Sequence, residues 1–312
     1  MPLLILLVIA ATIVVFTNPQ FKDKILNLFK KIPEAVVIPT PTPTPTLTPT
    51  TTPTPTPIPK PSVSATPKPS ASVAPAPPVS APPTSGYSRI SVVSDAGTFT
   101  VSVGVADIST TRVVVDTASE SDCSSNCPAL SLSTYISRRG AFAGINGTYF
   151  CPVDYPSCAG KENTFDFLVM NINKYYFNSA NNVYSTNPAV IFGGGYVRFV
   201  GAAQEWGRDT GVDGVLSNYP LLVAGGNVNF GGSSDPKLGS KGSRSFVANK
   251  GNLVYIGVVH SATVAESARV LKAMGMDNAL NLDDGGSTAF WFGGYKVGPG
   301  RNIPNAILFI AR

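Results

Sequence analysis

The sequence predicts an α+β domain in which mixed or antiparallel sheet dominates and helices are few. An N-terminal membrane helix and a disordered Pro/Thr-rich stalk precede it. Three observations predict this. Short runs rich in β-branched residues, several of them alternating, recur from about residue 86 onward and are bounded by turn residues. Glycine is abundant, at 29 of 312 residues, as a chain of short strands and tight turns requires. Only one stretch carries a full helix signature, so helices decorate the sheet and do not alternate with its strands.

Taken in order, residues 1–17 open with "MPLLILLVIAATIVVF", almost purely apolar and just long enough to read as a membrane anchor. A basic n-region and a small-residue cleavage site, the marks of a removable signal peptide, are not evident. Residues 18–38 contain "FKDKILNLFKKI", in which Lys22, Lys24, Lys30 and Lys31 can line one face of a basic amphipathic helix on a lipid surface. The positive-inside rule would put such a flank in the cytoplasm. The tract that follows favours the opposite placement, so the expectation is an uncleaved anchor with the domain outside. Residues 39–85 are dominated by Pro, Thr, Ser and Ala, a composition that buries no core and favours extended polyproline II. At roughly 3.1 Å per residue such a stalk reaches on the order of 140 Å.

Residues 86–312 form the expected globular domain. Strands are predicted at 89–93, 99–105 and 112–116, a short helix over 130–138, and an apolar strand in "AFAGINGTYF" that breaks at Asn146-Gly147. Further strands are predicted at 174–177, 196–200, 221–224, 245–248, 253–259, 279–282, 289–292 and 306–310. The clear helix covers 264–274: Thr263 and Glu266 make a capping box, Val264, Ala268 and Leu271 an apolar stripe, and Gly275 the stop.

The net charge of +5 belongs to the N-terminal segments. Before Gly86 there are six lysines and two acids; from Gly86 onward 17 Lys/Arg face 16 Asp/Glu. A nucleic-acid binder needs a concentrated basic face, and none is present. The four cysteines form two close pairs, Cys123 with Cys127 and Cys151 with Cys158, and in an exported domain an even set reads as disulfides. Local pairing is the first of three connectivities. Zinc is disfavoured because His260 is the single histidine and no C-x2-C spacing occurs, and no other metal or cofactor is implied.

The chemistry concentrates in "ALNLDDGGSTAF", residues 279–290. Adjacent carboxylates repel each other and are costly to bury, yet Asp283-Asp284-Gly285-Gly286-Ser287 sits between two apolar strands of a chain with only 13% charged residues. A rigid strand end hands side chains to such a loop. Its glycines let backbone N–H groups approach an anion, and its carboxylates suit acid–base chemistry. An Asp-Gly hairpin turn without function explains the same letters. The calcium-loop pattern D-x-D-x-D-G is missing.

These residues resemble a family. "ESARVLKAMGM" followed by "NALNLDDGGSTAF" is similar to the C-terminal signature of the phosphodiester glycosidases, a helix and then A-x-N-L-D-G-G-G-S-[ST]. "AGINGTYF", "SNYPLLVAGGNV" and "SRSFVANKGNLVYIGVV" match further family motifs in the same order. Asp284 departs from the pattern, standing where the family usually has glycine. The resemblance implies an α-N-acetylglucosaminidase-like hydrolase that frees a sugar from a sugar-1-phosphodiester on a surface glycan or exopolymer. Its motifs place Asn146, Arg244, Asp283, Gly285, Gly286 and Ser287 in or beside the active site. Arg244 would grip phosphate bidentately and Asn146 the sugar hydroxyls, or merely its own turn. Asp283 would act at the glycosidic carbon, with Asp284 or Glu205 as a second acid. His260, at a strand end, is a candidate proton shuttle. Tyr149, Trp206 and Trp291 can stack on sugars or fill the core. Two other readings use the same letters: a non-catalytic glycan-binding module, and a transpeptidase built on a free Cys151 with His260 and Arg244.

Overall fold

A computed structural model describes residues 80–180 and 184–312. The expected anchor at 1–17, the segment 18–38 and most of the stalk 39–85 lie outside the described residues. No helix among the described residues is long and apolar enough to cross a membrane. The chain is already seated on the domain before Gly86. Ala81 is buried and its N–H donates to the Met274 carbonyl at 3.1 Å, while the Tyr255 hydroxyl donates to the Pro82 carbonyl at 3.0 Å.

In chain order the first elements are β1 (Gly86–Ser94), β2 (Gly97–Asp107), β3 (Thr111–Thr117), α1 (Leu132–Arg139) and β4 (Ala143–Asn146). Then come β5 (Val169–Met170), β6 (Tyr176–Phe177), β7 (Ala189–Gly193), β8 (Tyr196–Val200), β9 (Gly214–Ser217), β10 (Leu221–Ala224) and β11 (Asn227–Val228). A one-turn helix α2 (Pro236–Gly239) precedes β12 (Gly242–Lys250), β13 (Leu253–Ala262), α3 (Val264–Ala273) and β14 (Asn278–Asn281). The chain ends with β15 (Phe290–Phe292), β16 (Tyr295–Val297) and β17 (Asn305–Ala311).

These strands make three sheets, ordered β1-β2-β13-β12-β14-β10-β11, β16-β15-β4-β17-β3 and β6-β5-β9-β7-β8. Every ladder among the described residues is antiparallel, so the expectation of mixed or antiparallel sheet resolves to the latter. The long first sheet is apolar on both faces. Val101, Val103, Val105 and Phe246 pack beneath α3, against Ala268 and Leu271. Val247, Ile256, Val258 and Leu280 on the other face meet Ile145, Ile307 and Phe309 of the second sheet. That second sheet is covered in turn by α1 through Leu132, Tyr135 and Ile136. The third sheet closes over its own cluster, in which Trp206 is buried beside Ile191 and Val215.

Helix α3 begins as its letters require: Thr263 Oγ1 accepts from the Glu266 N–H at 3.1 Å, and Glu266 Oε2 accepts from the Thr263 N–H at 2.7 Å. Strand β14 brings the chain to the acidic loop, and β15 carries it away in a different sheet. Asp284-Gly285 is therefore not a hairpin turn. It is the crossing point between the two sheets, running from an interior strand of one to an interior strand of the other.

Candidate functional site

The crossing loop is fixed before it is charged. Four asparagines beneath it, Asn146, Asn218, Asn281 and Asn305, are almost wholly buried. Asn146 Nδ2 donates to the Asp283 carbonyl at 2.7 Å, and its Oδ1 accepts from Ser245 Oγ and from the Ala289 N–H, both at 3.1 Å. Asn218 joins the loop after β4 to β14, accepting from Thr148 and Tyr149 and donating to the Asn281 carbonyl at 2.8 Å. Asn305 Oδ1 accepts from the Thr148 N–H at 2.9 Å. Side-chain amides carry both donor and acceptor and so tie loop backbones together where no ladder can reach. Asn146 thus holds the loop from below; with 0% exposure it does not offer its amide to a sugar.

The two acids have separate environments. Asp284 Oδ2 accepts from Arg244 Nη1 and Asn281 Nδ2, each at 3.1 Å, with the Tyr149 hydroxyl at 3.5 Å. Its Oδ1 accepts from the Ser245 N–H at 2.9 Å. Burial pushes its carboxyl up to about 6 against the pull of Arg244. This carboxylate is spoken for. Asp283 Oδ1 accepts the Asp284 N–H at 2.9 Å, the Ser287 hydroxyl lies close to the carboxyl, and the buried Oδ2 has no partner at full hydrogen-bonding distance among the described residues. Burial pushes Asp283 up to about 7, opposed by the Ser287 hydroxyl and the Asp284 amide. Tyr149 is pushed well up by burial and by the same two acids, so it stays a neutral hydroxyl.

Both acids line a cleft of about 900 Å³, as do Ser287, Gly285 and Tyr149. Lys237, Lys241 and Arg301 also line it. Arg244 reaches this cleft but is largely occupied. Its Nε donates to the Ala262 carbonyl, its Nη1 to the Lys237 carbonyl as well as to Asp284, and its Nη2 to the Ser240 carbonyl. The arginine expected to grip phosphate is here the counter-ion of Asp284. Arg301 is freer. Its Nη2 meets Asp154 Oδ2 at 3.0 Å, and its guanidinium lies 5.3 Å from the centre of the Tyr155 ring. Gly286 makes room for it, since a Cβ there would sit 2.5 Å from Arg301 Nη2.

Two expected residues lie elsewhere. His260 Nε2 shares a 2.9 Å hydrogen bond with Ser102 Oγ on β2, and burial and nearby Arg89 lower its pKa. It is not among the residues that line the cleft. Glu205 follows β8 in the third sheet and is likewise absent from the cleft wall. Trp206 is core, and Trp291 packs edge-on against Tyr295; of the three aromatics only Tyr149 reaches the site. All four cysteines are bonded, Cys123–Cys127 and Cys151–Cys158, so no thiolate exists for a transpeptidase. Among the described residues no three His, Cys, Asp or Glu side chains gather as metal ligands. Arg301 carries no signal in the sequence. It sits in a "GPGRN" turn whose letters carry no charge pattern.

The fold thus sets a buried carboxylate, Asp283, in a cleft that also holds Lys237, Lys241 and Arg301. Residues 139–310 match the phosphodiester glycosidase family model, and the chain belongs to that family. Among solved structures it is similar to the catalytic domain of zebrafish N-acetylglucosamine-1-phosphodiester alpha-N-acetylglucosaminidase, described as auto-inhibited by its pro-peptide. The TM-score is 0.57 at 14% identity, over 76% of this chain and 87% of that one. A hypothetical protein from Synechocystis aligns with a TM-score of 0.49 at 14% identity, over 72% of this chain and 62% of that one. No curated protein matches. At such identities the likeness is one of fold.

Proposed function

We propose that this protein is a phosphodiester glycosidase that hydrolyses the bond between a sugar's anomeric carbon and the phosphate of a sugar-1-phosphodiester, the sugar being N-acetylglucosamine-like. The observation that carries the reading is Asp283, a buried carboxylate with an unpartnered oxygen in a cleft that also holds Arg301, Lys237 and Lys241. As the C1–O bond breaks, positive charge develops at C1 and negative charge on the departing phosphate. Asp283 stabilises the first, directly or through an attacking water. Arg301, with the two lysines, stabilises the second. Phosphate is already a good leaving group, so a second acid is not required, which agrees with Asp284 being bound by Arg244. Asp284, Asn146 and Gly286 act by position: they fix the loop and admit Arg301.

The domain works outside the cytoplasm in this proposal. Two disulfides fit an oxidising compartment, and the apolar residues 1–17 and the stalk would hold the domain at a membrane surface. The test is sugar release from UDP-N-acetylglucosamine and related esters by the full-length protein and by Asp283→Asn. Turnover should fall by about 10²–10⁴-fold in a variant that folds normally. Binding of the sugar ester by the unaltered protein with no turnover of any ester would instead establish a non-catalytic glycan-binding module.

A further inference from the structure

The first cleft does not end at Tyr149. A second cleft of about 720 Å³ adjoins it, and Tyr149, Phe150 and Phe167 line both. Neither the disulfides nor this second space is used by the chemistry above. Yet the walls are carefully built. The loop of Cys151–Cys158 and the loop of Cys123–Cys127 are tied together through the 161–164 turn. The Cys127 N–H donates to the Glu162 carbonyl at 2.9 Å, the Cys151 N–H to the Thr164 carbonyl at 2.8 Å, and Asn163 Nδ2 to the Cys127 carbonyl at 2.9 Å. Asn178 Nδ2 pins the opposite strip, donating to the carbonyls of Phe165 and Phe167 at 2.8 and 3.0 Å. A groove so held is preformed, and its volume alone lies within the roughly 300–1,000 Å³ of ligand sites.

Its chemistry differs from that of the first cleft. Phe165 joins the shared aromatics, while Asp122, Asp166 and Lys161 supply polar edges with an acidic balance. Aromatic faces beside hydrogen-bonding carboxylates suit a pyranose ring, which has an apolar face and a rim of hydroxyls. An anionic phosphate is disfavoured beside two aspartates and one lysine, whereas the first cleft sets Lys237, Lys241, Arg244 and Arg301 against Asp235, Asp283 and Asp284.

From this continuity and this charge division we infer that the second cleft is a glycan subsite for neutral sugar residues attached to the sugar whose anomeric carbon reaches Asp283. The inference rests on the proposed hydrolysis and extends it. The substrate class is an oligosaccharyl-1-phosphodiester, and the released product is an oligosaccharide.

Two measurements on the full-length protein test this separately. One compares kcat/KM for the 1-phosphodiesters of N-acetylglucosamine and of chitotriose. The other titrates Asp283→Asn with free chitotriose, cellotriose and mannotriose, which carry no phosphate. The variants are Phe165→Ala and, because Phe165 also packs 5.6 Å from Phe177, Ser157→Trp, which blocks the groove from an exposed position. The trisaccharide ester is expected to be the better substrate by about tenfold, the worth of one stacked ring. Either variant should remove that advantage and weaken trisaccharide binding, while leaving the monosaccharide ester within about twofold. Equal rates for the two esters overturn the subsite, as does absent trisaccharide binding or binding that Ser157→Trp leaves unchanged. If neither ester is hydrolysed, the proposed reaction fails and the titration alone decides the subsite.

Discussion

At the scale of single residues, the paired aspartates have unlike environments, and the proposed reaction uses the less partnered one. Asp284 is met by a guanidinium, a side-chain amide and a backbone N–H, so its charge is compensated where it lies. Removing one partner of a buried ion pair leaves the other charge stranded, a loss of about 3–5 kcal/mol. Asp284→Ala should therefore lower the unfolding free energy by about that much in a denaturant titration. A variant as stable as the unaltered protein would rule out that ion-pair contribution. Arg301 is the converse case. Its partner Asp154 has a side chain 56% exposed, and such surface pairs contribute about 0–1 kcal/mol. Arg301→Ala should barely move Tm, yet lower kcat/KM on a sugar-1-phosphodiester by about ten- to a hundredfold through loss of a charged hydrogen bond to phosphate. An unchanged kcat/KM would shift the phosphate grip to Lys237 and Lys241.

At the scale of elements, the site depends on β12, β13 and β14 lying flush, because they carry Arg244, the α3 connection and the acidic loop. Gly257 in β13 shows how tight that packing is. A Cβ there would sit 2.4 Å from the Ser102 carbonyl oxygen of β2, a backbone atom that cannot move without breaking the ladder. Gly257→Ala should cost about 3 kcal/mol, the upper range for overpacking, seen as a drop in the denaturant midpoint. Elements of this kind were legible from sequence when they had length and period. The alternation across Phe99–Val105 and the capping box before α3 both announced themselves. Strands β5, β9 and β11 have two to four residues and show no period, and β7 reads "AVIFG", apolar throughout because both its faces are buried. The destination of a strand is also not a local property. Nothing in "DDGG" says that β14 and β15 enter different sheets, which is what turns a hairpin signal into a site. The Arg244–Asp284 pair and the Arg301–Gly286 contact are long-range for the same reason. That Asn146 anchors the acidic loop from below and that His260 turns to Ser102 are likewise invisible in the local letters.

At the scale of the whole molecule, the site should be a cost to the fold that varies with pH. Asp283 titrates near 3.8 when exposed and is pushed up to about 7 in the folded protein by burial. A carboxyl raised in this way binds its proton more tightly when folded. Its contribution is therefore fully favourable below about pH 4 and is lost as pH rises through about 7. Asp284 is raised in the same direction, so it steepens the decline and does not cancel it. For Asp283 alone the difference is on the order of 4 kcal/mol across that window, a large share of a typical domain's stability. Asparagine at 283 keeps the shape and cannot ionise. Denaturant midpoints measured from pH 4.5 to 8.5 should fall with pH for the unaltered protein and fall less for Asp283→Asn, so that the variant is the more stable of the two at pH 8. Greater stability with lost turnover is the expected mark of a residue kept for chemistry at the expense of the fold. Parallel curves would mean that Asp283 is not strained in the folded state, and the case for it as the reacting carboxylate would lose its main physical support.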